Sequence, residues 1–257
     1  MKLLVYVVWL LIALPLHAQK DSSVSLNSLQ LVVGVQQIKE ENLHPKIHTG
    51  VVYGLEYAHN STKKNSSNFS FLFKYSTPKT KFEDAAYSTH IQLNANYNYS
   101  FKLIKKKTYS LYLGPSASSH YRLSYYPYWD DSHLYWADDF SLGVAHLFSY
   151  NIHPNTALVA RLNVSLLSLF SRPILHRAYK IDDVSLGGII SSMNSNFELG
   201  TIDRAFDLSL QTEYHIRISK KVIQAIVYHF EYSHFQASTG RSFSNLQHHL
   251  GFKLYFE

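Results

Sequence analysis

Residues 91–103 read Ile-Gln-Leu-Asn-Ala-Asn-Tyr-Asn-Tyr-Ser-Phe-Lys-Leu. Ile91, Leu93, Ala95, Tyr97, Tyr99, Phe101 and Leu103 hold the odd positions. Gln92, Asn94, Asn96, Asn98, Ser100 and Lys102 hold the even ones. A strict period of two is a β-strand, because successive side chains of a strand point to opposite faces. In a soluble sheet the apolar face would be core. Here the polar face is almost pure amide and the apolar face ends in aromatic rings, the amphipathic groups that settle at a membrane interface.

The same alternation recurs at 29–36, 50–57, 69–76, 109–118, 140–150, 158–166, 206–215, 226–233 and 246–256. With 91–103 this makes ten segments, each near the roughly 9–11 residues that a tilted membrane strand needs. An even number returns both termini to the same side. Strands can cross lipid only as a closed barrel, since an open edge would leave backbone amides unpaired. The expected fold is therefore all-β: a monomeric, closed, antiparallel up-and-down transmembrane β-barrel of about ten strands, spanning 28–256.

Connections and charge agree with that count. Short turns are expected on the periplasmic side at 60–66, 105–107, 153–155 and 219–221. The long connections, 123–138 and 171–200, fall on the outer side. Lys63, Lys64, Lys105, Lys106, Lys107, Lys220 and Lys221 lie in the short turns. Glu40, Glu41, Glu83, Asp84, Asp130, Asp131, Asp138, Asp182 and Asp183 lie in the outer set. Basic turns suit anionic headgroups and equally keep tight turns soluble.

The N-terminus supplies an address. Met1-Lys2 is followed by an apolar run of 12 residues, 3–14 (LLVYVVWLLIAL), then Pro15 and Leu16-His17-Ala18 before Gln19. This is the layout of a secretory signal peptide cut after Ala18. The run is too short to span a bilayer as a helix, which takes roughly 20 residues. The chain thus divides into a signal peptide, 1–18, and one barrel domain, 19–257. The 257 residues include no cysteine, which excludes a lipoprotein anchor, a disulfide framework and any thiolate metal site. The formal charge of +6 is compatible with nucleic acid, but export makes outer-membrane lipids and lipopolysaccharide the expected partners instead.

The last segment, His249-Leu250-Gly251-Phe252-Lys253-Leu254-Tyr255-Phe256, resembles the terminal strand of outer-membrane β-barrel proteins of diderm bacteria. In that family the barrel-insertion signal is a polar residue, a glycine two positions on, and alternating apolar residues ending in an aromatic. Glu257 makes the aromatic penultimate here. The resemblance implies insertion by the barrel-assembly machinery and a place in the outer membrane. It implies no activity.

Several roles stay open. The inward face carries both signs of charge: Glu56, Lys74, Lys102, His120, Arg122, Arg161, Asp207, Glu213, His215, Arg217, His229, Glu231 and Lys253. In a narrow barrel such residues fill the lumen as pairs; alternatively they line a narrow solute channel. A hydrolase acting on membrane lipids would draw on Asp207, His229, Glu231 and Ser233, which share the inward face of two adjacent strands. Near them, Tyr232-Ser233-His234-Phe235-Gln236 is similar to the His-x-Ser stretch of outer-membrane lipid A deacylases. Gln236 stands where the nucleophile belongs, so that activity is not carried over. The 15 histidines show no ligand spacing along the sequence, and His248 and His249 face opposite sides. No metal site and no cofactor are expected. The remaining class is binding through the outer loops. Tyr128, Trp129, Asp130, Asp131, Tyr135 and Trp136 suit sugar faces or an envelope protein, or fold over the barrel mouth.

Overall fold

A computed structural model of the chain describes residues 24–42, 44–80, 88–127, 134–173, 185–194, 196–219 and 221–257. The expected signal peptide lies outside these residues.

The first strands are β1 (Val24–Glu40), β2 (His44–Thr62), β3 (Ser66–Ser76), β4 (Thr89–Lys105) and β5 (Tyr109–Tyr125). A short β6 (Leu134–Trp136) precedes β7 (Asp138–His153) and β8 (Thr156–Ser171). Helix α1 (Leu186–Met193) and a short β9 (Glu198–Thr201) come next. The chain ends in β10 (Ala205–Arg217), β11 (Val222–Gln236) and β12 (Ser242–Phe256). The ten long strands each pair antiparallel with their neighbours, β8 passing directly to β10. The ring closes between β12 and β1, in register from Asn27 opposite Phe256 to Glu40 opposite Phe243. The protein is a closed antiparallel ten-stranded β-barrel.

Alternation decides which way each residue faces. Leu31 is 64% exposed, whereas its neighbour Val32 is 3% exposed and points into the lumen. Leu31 lies between Phe252 and Leu55, and Tyr53 lies opposite Tyr75. The outside is thus a continuous belt of aliphatic and aromatic rows, the reverse of a soluble protein. Two bulges keep the belt apolar where strict alternation would turn a side chain inward. Leu103 and Leu166 are each an extra residue against the partner strand, so Leu103–Ile104 and Leu166–Leu167 all stay exposed.

The short connections fall where basic residues cluster, with Lys63 N–H donating to Asn65 O at 2.9 Å and Lys106 N–H to Tyr109 O at 2.8 Å. Two outer connections are more ordered than the sequence suggests. The stretch read as one loop at 123–138 is shorter, because β5 continues to Tyr125 and β6 folds back onto it, with Trp136 opposite Leu123. The stretch 171–200 contains α1 and β9. Strand β9 continues the β8 ladder, Leu199 opposite Leu169, until residues 202–207 leave it, and Leu208 rejoins it opposite Val164.

Glycine permits the tight packing of the wall around β1. A Cβ on Gly34 would stand 2.1 Å from His248 O and 2.6 Å from the His249 ring. Unboiled protein should therefore migrate as a compact band on a detergent gel and convert on boiling. Gly34→Val should abolish that band, while the outward Val35→Ile should keep it. A helical spectrum for the folded protein would contradict the fold.

Candidate functional site in the barrel lumen

The lumen is filled by charged and polar side chains in successive levels. At the end that carries the short turns Lys253 Nζ donates to Glu56 Oε1 at 2.6 Å. Arg161 donates to Glu213 Oε1 at 3.2 Å and to Asn60 Oδ1 at 3.0 Å, and Tyr255 also donates to Glu213. Arg161 on β8 and Asn60 on β2 lie five strands apart around the ring, so this contact crosses its full width. One level up, Lys74 donates to Glu231 Oε2 at 2.5 Å and to Gln247 Oε1 at 2.6 Å. Gln247 in turn donates to Gln92 at 3.0 Å.

Nearer the outer end Arg122 is the hub. Its guanidinium donates to Asp139 at 2.5 Å and to Ser233 Oγ at 2.9 Å, and lies 3.6 Å from Asp207. It also sits over the Phe235 ring, 5.5 Å from its centroid. Phe235 belongs to an apolar layer with Ile38, Ala137, Phe170, Ala205 and Phe243. Above that layer Arg172 donates to Glu40 and to the carbonyls of Phe235 and Arg241, both at 3.1 Å. One side chain thereby ties three outer connections together.

The outer-loop candidates divide. Tyr128, Trp129, Asp130 and Asp131 lie outside the described residues. Tyr135 and Trp136 are buried, so of the two expectations for them they follow the one in which they fold over the barrel mouth, and they do not stand exposed as anchors. Their strand, β6, turns them under the outer connections. There Tyr135 OH accepts from Asn42 Nδ2 at 2.9 Å, and Trp136 Nε1 donates to Ser171 Oγ at 3.3 Å. Burial pushes the Tyr135 phenol well up from its ordinary value, and the Glu40 charge adds to this. In the β1–β2 turn, hydrogen bonds from Lys39 and from Ser242 N–H hold Glu41 down to about 2.

The hydrolase candidates Asp207, His229, Glu231 and Ser233 all line one polar cavity of about 50 Å³. They do not assemble as a relay through Ser233, which is held by Arg122. The serine that meets the imidazole is Ser209, with Oγ 2.8 Å from His229 Nε2; Glu231 Oε1 lies 3.4 Å from His229 Nδ1. Ser209 was detectable by parity with Asp207, but its partnership needed the register that sets it opposite Glu231. His249 is a second such residue. Alone on its strand it has no partner, but register sets it opposite His229. His229, Glu231 and His249 place one ligand atom each within 4.8 Å of one another, as do His120, Asp139 and Asp207. Among the described lumen groups, the carboxylates of Glu56, Asp139, Asp207, Glu213 and Glu231 exceed the cations Lys74, Arg122, Arg161 and Lys253 by one. Lys102 and Arg217, expected inward, sit at the rim that carries the short turns, where Arg217 is exposed.

No family model and no curated protein matches the chain. Among solved structures it is similar to the outer membrane protease OmpT from Escherichia coli, with a TM-score of 0.55 and 7% identity over 93% of this chain and 99% of that one. The translocator domain of the autotransporter NalP from Neisseria meningitidis also aligns, with a TM-score of 0.47 and 8% identity over 96% of this chain and 92% of that one. At such identities the likeness is one of fold, that of the outer-membrane β-barrels.

The lumen network predicts an asymmetry. Lys74→Met strands Glu231 as an unpaired buried charge and should destabilise the barrel by about 3–5 kcal/mol. The double variant Lys74→Met/Glu231→Gln removes both charges and should recover most of that loss. Denaturant midpoints of the detergent-folded variants measure both, and a double variant no better than the single one would contradict the pairing.

Proposed function

We propose that this protein is a bacterial outer-membrane barrel acting as a closed anchor, and that its outer connections bind an envelope protein or a glycan. The observation that carries the reading is the bracing of the lumen. Contacts from Arg161 to Asn60, from Lys74 to Glu231 and Gln247, and from Arg122 to Ser233 join distant walls at three heights. A lumen filled in this way leaves little room for a solute path, which counts against the narrow channel. With the belt committed to lipid, the outer end is the remaining surface, and loops on a rigid scaffold carry most binding sites.

That end has apolar groups to offer. Ile190 of α1, Leu199 of β9 and Ile202 just beyond it are 50%, 58% and 52% exposed on a single connection. The ring of Phe140 packs against Phe197, 5.9 Å between centroids, and Tyr121 OH reaches Asn194 at 3.4 Å; these contacts hold the connection against the wall. Tyr128 and Trp129 would supply aromatic anchors. Asp130 and Asp131 would accept hydrogen bonds from sugar hydroxyls or hold calcium ions that bridge lipopolysaccharide.

A hydrolase is the second reading, favoured by the Ser209–His229–Glu231 contacts, which have the order of nucleophile, base and orienting carboxylate. Its weakness is space. The adjoining cavity of about 50 Å³ takes a few waters, whereas pockets for sizeable ligands run to roughly 300–1,000 Å³.

Two measurements test the anchor reading. Folded protein added to planar lipid bilayers should give no conductance steps, and steady ion conduction would remove the closed lumen. A Tyr128→Ala/Trp129→Ala variant should still fractionate with the outer membrane and show heat-modifiable migration. It should lose its partner or glycan in pull-downs, since one anchoring aromatic is worth ~2 kcal/mol or more. Binding unchanged from wild type would take the role away from these loops.

A further inference from the structure

We propose that His229, Glu231 and His249 form a site inside the barrel for one divalent transition-metal ion of the Zn2+ class. Their ligand atoms lie within 4.8 Å of one another on two adjacent strands, β11 and β12. Zinc bonds nitrogen and oxygen at about 2.0–2.2 Å, so small side-chain movements would close the set around an ion. Two imidazoles and one carboxylate are the donors that such borderline ions take, and the chain has no thiolate to compete.

An independent observation points to a ligand. His249 is 1% exposed, and neither of its ring nitrogens has a hydrogen-bond partner. A buried imidazole left this way costs about 1–3 kcal/mol. The other two members are already oriented as ligands need to be. Ser209 holds His229 through Nε2 at 2.8 Å, which leaves Nδ1 directed at Glu231. Lys74 grips Glu231 through Oε2, which leaves Oε1 on the side of His229. Outer partners of this kind set the tautomer of a ligating histidine and the orientation of a ligating carboxylate.

Space also fits. The cavity of about 50 Å³ is lined by His229 and Glu231, and gives room for a water as fourth ligand. The ion would cross-link the last two strands of the barrel. His229 cannot serve Ser209 as a catalytic base while its Nδ1 binds a metal, so occupancy of this site argues against the hydrolase reading.

The test uses the full mature protein, folded in detergent and stripped with a chelator. Zn2+ is followed by calorimetry and Co2+ by its visible absorption. One equivalent of each should bind, with a tetrahedral cobalt spectrum and a rise in melting temperature. His249→Ala and, as a second variant in case the first misfolds, His249→Asn should weaken binding at least about 100-fold. Ser209→Ala should weaken it about 10–100-fold, as loss of an outer partner does. His248→Ala, altering the neighbouring histidine on the lipid face, should change nothing. Heat-modifiable migration confirms that each variant is folded. Absence of binding to the folded wild type, binding that survives a folded His249 variant, or binding lost instead in His120→Ala would each overturn the assignment.

Discussion

Every backbone amide in the apolar belt must find its partner within the protein, because hydrocarbon offers none. That constraint dictates closure, and closure dictates most of the architecture. The pairing of β12 with β1 over the whole length from Asn27 to Glu40 removes the last sheet edge. Once the ring is shut, one face of every strand belongs to lipid and the other to a narrow lumen. Alternation then decides each residue's surroundings. Leu250 and Phe252 enter the belt, while His249 and Lys253 enter the interior.

A narrow closed lumen imposes a second demand. Charged groups taken from water must be matched, since an unpaired buried charge costs several kcal/mol. The barrel meets this by reaching across itself. Lys74 leaves β3 for β11 and β12, Lys253 leaves β12 for β2, and Arg161 leaves β8 for β2. The ladders fix neighbouring strands to one another, and these longer contacts fix walls that the ladders do not join. The same contacts that stabilise the cylinder also occlude it, so the charge that first suggests a pore is what fills one.

The outer end obeys a different logic. There the chain leaves the sheet yet still buries polar groups, and Arg172 gathers them. Its contacts with Glu40, Phe235 O and Arg241 O join the β1–β2, β8–β9 and β11–β12 connections. Tyr135 and Trp136 lie beneath this arrangement. Their rings therefore act as packing, while Ile190, Leu199 and Ile202 are among the exposed apolar groups that the described residues present at that end.

The alternation of 91–103 and its nine counterparts was enough to determine strand number, the identity of the lipid face and the placing of the short turns. These depend on period two and on the insolubility of unpaired amides, both local properties of the chain. The members of the inward face were legible for the same reason: Glu56, Lys74, Asp207, His229 and Glu231 were all identifiable by parity. Their partnerships were not. Parity tells a residue which face it shares, but not its height relative to residues on other strands. That height is set by register, and register by turn geometry and bulges summed around the ring. The meeting of Ser209 with His229, of His229 with His249 across β11 and β12, and of Lys74 with Glu231 across the lumen were therefore decided only by the closed barrel. So was the burial of Tyr135 and Trp136, which depends on a three-residue strand folding back on β5. A segment that short carries too little period for its sequence to announce it.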